Sequence, residues 1–128
     1  MANLRHTVLV RTDLGFSLGL LAAQVAHIHF EPFRQLAIDE KEVPQWQRDW
    51  LTAPYLFIHG VKNRESLEYY IKRADEVGVK VSTWKDTVEV RPSDTQKLVF
   101  PDIPVGISLG PDDSDKIRQV IGDLPLLS

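Results

Sequence analysis

The chain has 128 residues, 43% hydrophobic and 26% charged, a composition that fits one globular domain over residues 1–128 and leaves no material for a second core. Its 15 Lys and Arg against 18 Asp and Glu give a formal net charge of -3, which argues against bulk non-specific nucleic-acid binding and confines any such role to a local basic cleft. The absence of Cys excludes thiol catalysis, iron–sulfur and Cys–zinc sites and disulfides. No apolar run reaches the roughly 18 residues of a membrane span, and no hydrophobic signal region follows Met1, so a cytoplasmic location is expected.

In chain order, Thr7 to Thr12 is a β-branched run with too little alternation for a wet face, which predicts a central strand. Asp13-Leu14-Gly15-Phe16 is turn chemistry, and Ser17 is placed to cap an apolar helix from Leu18 to Phe30 that is expected to be heavily buried. Pro32 disfavours helix at Glu31, although a kinked continuation through Phe33, Leu36 and Ile38 keeps the period. Asp39-Glu40-Lys41-Glu42 reads as a solvated charge run. Val43 to Leu51 predicts a short second helix opening at Pro44, with Trp46 and Trp50 on one face as core or lid.

Tyr55 to His59 has strand propensity and ends at Gly60. Asn63 then caps a helix whose apolar face is Leu67, Tyr70, Ile71, Ala74 and Val77, stopped by Gly78. Val79 to Trp84 alternates as a third strand and Val105 to Leu109 as a fourth, after which Gly110-Pro111-Asp112-Asp113 opens a last helix carrying Ile117, Val120 and Ile121 and ending at Gly122. The order predicts an α/β fold, a three-layer α/β/α sandwich around a four-stranded mixed sheet, with Leu9, Ala22, Ala23, Leu56 and Ile107 in its core. The connection from Lys85 to Pro104 is long for a compact domain. It reads as functional, with Val88-Glu89-Val90 and Leu98-Val99-Phe100 able to pair as a hairpin around Pro92-Ser93-Asp94.

Candidate chemistry concentrates at the carboxyl ends of these strands, where open α/β sheets bind ligands. Arg11 and Asp13 sit where the first strand meets the first helix, and Asp86 follows the third strand, where a carboxylate can orient a water. Leu20, Gln24 and His27 fall on one helical stripe, and its polar members interrupt an apolar helix. The bland readings are a local Arg11–Asp13 ion pair, a turn Asp at 86, and a Gln and His satisfied inside the core. His27 and His29 point about 200° apart on a helix and cannot share a metal.

Taken together, Arg11-x-Asp13-Leu14, Gly19-x-x-Ala22-Ala23-Gln24-x-x-His27, Trp46, Gly78, Asp86, Gly110-Pro111, Ile117, Gly122 and Leu126-Leu127 resemble the signature of the type 2 peptidyl-tRNA hydrolases over nearly the whole chain. The resemblance implies a mixed four-stranded sheet sandwiched by helices, a homodimer, and metal-free, cofactor-free hydrolysis of the ester joining a peptide to the 3′ ribose of tRNA. It implies that Asp86 orients the water and that Gln24, His27, Arg11 and Asp13 shape the site. Three features depart from the pattern: Leu20 stands where the family has Lys, Phe16 where it has Met, and Asp86-Thr87-Val88 where it has Asp-Ala-Gly. Thr95-Gln96 is displaced by an insertion, and Lys85, Arg91 and Lys97 are the cations at hand to rebuild the site. Three functions are therefore expected in order: a weakened peptidyl-tRNA hydrolase, with Asp86, His27 and Gln24 catalytic and Arg11, Asp13, Lys85, Thr95 and Lys97 binding substrate; a homologue that binds tRNA or a nucleotide without cleaving it; and a protein-interaction module using Trp46, Trp50 and the long connection.

Overall fold

The computed structural model describes residues 3–39 and 42–128, so Glu40 and Lys41 of the charge run lie outside the described residues. Strand β1 (Leu4–Arg11) leads to helix α1 (Leu18–Ile38), a short helix α2 (Gln45–Thr52), strand β2 (Leu56–Val61), helix α3 (Arg64–Val77), strands β3 (Val81–Ser93) and β4 (Gln96–Asp113), and helix α4 (Ser114–Ile121). The sheet order is β2-β1-β4-β3, with β1 parallel to β2 and antiparallel to β4, and β3 antiparallel to β4. The sheet is therefore mixed, as the missing helix between the last two strands requires.

Alternation along β1 sends its side chains to two separate cores. Leu9 joins Ile107, Leu109, Leu67, Ala74, Ile117 and Val120 beneath α3 and α4, whereas Val8 and Val10 join Val105 and Ile28 beneath α1. Local signals place the helices: the Ser17 hydroxyl accepts the Leu20 N–H, Asn63 accepts the Ser66 N–H at 2.8 Å, and Gly78 closes α3 in the left-handed conformation at φ 89°. Pro44 occupies the cap position of α2, one residue outside the helix. Pro32 does not end α1. The break of about 3 kcal/mol that an interior Pro brings is offset by the burial of its ring and by Phe33, which packs on His6, Trp46 and Trp50.

Gly106 faces α1 from the middle of the sheet. A Cβ there would collide with the Ile28 side chain and the Leu9 carbonyl, so the glycine lets the helix lie directly on the strands.

Three of the five residues expected in the core are corrected. Leu9 and Ile107 are fully buried, but Ala22 and Ala23 are exposed and Leu56 is 38% exposed. Along one flank α1 is not packed down on the sheet, and a gap separates it from β2. Leu18, Ala22, Val25 and Ala26 instead line, with Leu56, Ile58 and Leu127, an open apolar groove of about 500 Å³. Trp50, by contrast, is a core residue, 6% exposed, with its indole donating to the Tyr55 carbonyl at 3.0 Å, so it is not available as a contact surface.

The stretch from Lys85 to Pro104 is no loop. β3 and β4 run on past the sheet as a two-stranded ribbon, pairing Val88 with Phe100, Glu89 with Val99 and Val90 with Leu98, and the turn falls between Ser93 and Gln96. Its two faces differ: Val88, Val90, Leu98 and Phe100 share one, while Glu89 on the other holds Arg91 at 2.8 Å and Lys97 at 3.7 Å.

A polar chain threads the α1 side of the core. Ser108 is hydrogen-bonded to Nε2 of His6, whose Nδ1 meets Nδ1 of His29 at 2.8 Å, and Trp50 and Phe33 close around the two imidazoles. Burial, reinforced by His29, pushes His6 down to about 3, and burial also lowers His29.

Candidate active site

The stripe Leu20, Gln24 and His27 faces β3 across the end of the sheet. Gln24, 4% exposed, donates from Nε2 to Oδ2 of Asp86 at 2.9 Å, closing a contact between residues 62 positions apart. Oδ1 of Asp86 accepts the Thr87 N–H at 2.7 Å, so both carboxylate oxygens are oriented while each keeps lone-pair capacity for a water. Asp86 owes its direction to the period of two along β3: with Ser82 and Trp84 it lies on the face turned towards α1.

Trp84 fills the space between strand and helix. Its indole N–H donates to Oε1 of Gln24 at 2.8 Å, and its ring stacks on His27 with centroids 4.6 Å apart and planes at 10°. His27 is otherwise open to solvent. Leu20, one turn before Gln24, is 46% exposed and puts a hydrocarbon at the open end of the stripe. One turn beyond His27 the same stripe reaches Glu31, 4% exposed and held on both oxygens by Nη2 and Nε of Arg34 at 2.6 and 2.9 Å. That hydrogen bonding holds the Glu31 carboxyl below its usual range.

Arg11 and Asp13 form the local ion pair that their spacing allows. The guanidinium grips both Asp13 oxygens at 2.9 and 3.0 Å and donates to the Pro104 carbonyl at 3.1 Å. Arg11 holds the Asp13 carboxyl below its normal range, first through the hydrogen bond. Pro104 lies opposite Lys85 in the β3–β4 register, next to the Asp86–Ile103 pair, so Arg11 ties the end of β1 to the base of the ribbon. Lys85 is exposed beside Asp86. Thr95 sits in the ribbon turn, bonded to Ser93, and Lys97 pairs with Glu89 farther out. Gln24, His27 and Asp86 are thus brought together and the Arg11–Asp13 pair lies at the base of the ribbon next to them, whereas Lys85 alternates to the other face of β3 and Thr95 and Lys97 stand away on the ribbon.

Two members of this constellation escape a reading of the sequence. Trp84 was legible only as a strand residue, although its place two before Asp86 puts both on one strand face. Glu31 continues the helical stripe, but a Glu that ends an apolar run and precedes a Pro looks like a solvated helix end. Among the described residues no group of His, Asp or Glu is arranged as a metal site, and no helix is long and apolar enough to cross a membrane.

The chain is similar to known proteins over nearly its whole length. The family model "Peptidyl-tRNA hydrolase PTH2" matches residues 4–127. A peptidyl-tRNA hydrolase of Nanoarchaeum equitans is 31% identical over 120 residues, covering 93% of this chain and 96% of the relative. The enzyme of the same name from Methanothermobacter thermautotrophicus is 27% identical over 128 residues, covering 97% and 100%. That of Metallosphaera sedula is 32% identical over 132 aligned positions, covering 97% and 100%.

Proposed function

The chain belongs to the PTH2 family of peptidyl-tRNA hydrolases, and from that premise we propose that it hydrolyses the ester between a peptide and the 3′ ribose of tRNA, more slowly than a site furnished with a cation would. In this reaction a water adds to the ester carbonyl, the bond to the ribose oxygen breaks, and a peptide carboxylate and free tRNA leave. The observation that carries the reading is the Gln24–Asp86 hydrogen bond, which joins two residues of the family signature across 62 positions and fixes a carboxylate where it can orient a water. His27, stacked and solvent-facing, stands beside it as a hydrogen-bonding group for the ester. Lys85, exposed on the other face of β3, with Thr95 and Lys97 on the ribbon, supplies contacts to the tRNA backbone, and the Arg11–Asp13 pair, bonded to the Pro104 carbonyl, holds the ribbon's base.

Slow turnover follows from Leu20. A hydrocarbon cannot steady a developing oxyanion or a phosphate, and loss of one such donor lowers the rate about 100- to 1000-fold. The same observation favours a second reading, that the chain binds tRNA without cleaving it.

Pairing of two copies belongs to the proposal as well. The groove along Leu18, Ala22, Ala26, Leu56 and Leu127 carries no charged residue, and Ala22 and Ala26 allow a second α1 to approach closely in a two-fold, self-complementary contact. The working location is the cytoplasm, where tRNA is recycled.

The test is incubation of purified protein with an N-blocked aminoacyl-tRNA, with and without a chelator. Release of the blocked amino acid, unaffected by the chelator, supports hydrolysis. Salt-sensitive tRNA binding without release turns the assignment to the second reading, and neither binding nor release overturns both. Light scattering of the same sample should give twice the chain mass, reduced to one by Ala26→Arg.

A further inference from the structure

We infer that Trp84 is a positioning residue for the hydrolytic site, acting through Gln24 and His27 rather than on substrate; the inference rests on the reaction proposed above. A Gln amide can turn end for end, and the two orientations differ chemically. Asp86, when ionised, only accepts hydrogen bonds, so Gln24 serves it only with its NH2 group inward. The indole N–H of Trp84 only donates, and it meets Oε1 of Gln24 at 2.8 Å while Nε2 meets Asp86 at 2.9 Å. Turning the amide over would set its oxygen against the carboxylate and its NH2 against the indole N–H, breaking both bonds together. Trp84 thereby selects the one orientation that aligns Asp86.

The second contact of the same ring concerns His27. Stacked at 4.6 Å and 10°, the indole limits the swing of an imidazole that is otherwise exposed. Trp84 and Asp86 stand two residues apart on the same strand face, so one side chain of β3 sets the rotamers of two α1 groups around the carboxylate presented by its neighbour. No cation occupies position 20, and among the described residues Gln24 is the side-chain donor on Asp86, so this alignment carries more of the site than it would beside a Lys.

Trp84→Phe keeps a ring for His27 and the core but removes the N–H. Expected are a fall in kcat of about tenfold, the scale of one hydrogen bond, an unchanged KM, and an unfolding midpoint close to that of the parent. In a Gln24→Ala background the same change should cost nothing further, because the route through Gln24 is already cut. Independent, additive losses would overturn the inference, as would a Trp84→Phe protein with full kcat. The Trp84 indole proton gives a reading that needs no turnover: in NMR it should exchange slowly in the parent and rapidly in Gln24→Ala. An exchange rate that Gln24→Ala leaves unaltered also refutes the inference. If the parent protein releases nothing from peptidyl-tRNA, the hydrolase reading falls, and this proton still decides whether Trp84 holds Gln24.

Discussion

His6 and His29 meet nitrogen to nitrogen, Nδ1 to Nδ1 at 2.8 Å, so one of the two imidazoles must donate and the other accept. Ser108 serves the far nitrogen of His6, and the surrounding Trp50 and Phe33 rings offer no charge to balance a second proton. Both rings are therefore built to stay neutral in the fold.

Acid should unfold the protein through this pair. The unfolded chain takes up a proton on His6 as pH falls below about 6.5, while the folded chain resists until about 3. Stability is accordingly complete above pH 6.5 and declines across that window, by up to about 1.4 kcal/mol per pH unit for each proton. His29, also lowered, adds to the slope. Asp13 and Glu31, held low by Arg11 and Arg34, act in the same direction at more acid pH. Thermal midpoints measured from pH 8 to 4 should fall more steeply for the parent than for His6→Asn, and equal slopes would count against the account.

Asp86→Asn should separate chemistry from binding. The change removes the charged acceptor that orients water but touches no cation that could meet tRNA phosphate. A drop in kcat of about 100-fold or more with tRNA affinity within about twofold is expected from single-turnover and filter-binding assays. Parallel loss of both would remove Asp86 from its role.

Leu20→Lys should raise the rate, by roughly tenfold or more if the new ammonium reaches the oxyanion. Because Leu20 is half exposed, the substitution should leave stability within about 0.5 kcal/mol. A folded variant with no gain would mean that the departures at Phe16 and Thr87 also matter.

Removing residues 90–98 and closing the ribbon with a two-residue turn tests the insertion. Val88, 4% exposed, is kept, so the core is untouched and the unfolding midpoint should hold within a few degrees. Affinity for tRNA should fall and its salt dependence should flatten, because Arg91 and Lys97 go with the ribbon. Unaltered tRNA affinity would make the ribbon a tolerated surface feature.

The layers and the helix ends were legible because their signals are local: Ser17, Asn63 and Gly78 act within a turn of the residues they cap. Gln24, His27 and Asp86 were legible through the family pattern, and the structure supplies their meeting. The flank of α1 was misjudged because an apolar surface in sequence does not say whether sheet or solvent lies against it; Ala22 and Ala23 carry the same composition as buried residues. His6 is inconspicuous in the sequence for the opposite reason. A polar residue at the start of a strand looks solvated, and only its non-local partners, Ser108 and His29, make burial possible. The ribbon illustrates the same limit: Val88-Glu89-Val90 and Leu98-Val99-Phe100 announced a hairpin, but its continuity with the sheet depends on pairing that begins at Lys85 and Pro104.

Gly106 acts as a spacer gauge for the whole site. It lies opposite Trp84 in the sheet and beneath Ile28, one helical turn from Gln24. A single methyl at 106 would lift α1 off the strands, and the lift would be felt where a separation of 2.9 Å between Gln24 and Asp86 leaves no slack. Gly106→Ala should therefore silence hydrolysis out of proportion to its cost in stability, about 1–3 kcal/mol. The meeting of helix and strand is thus governed by a buried position on β4, the neighbour of the strand that carries the carboxylate.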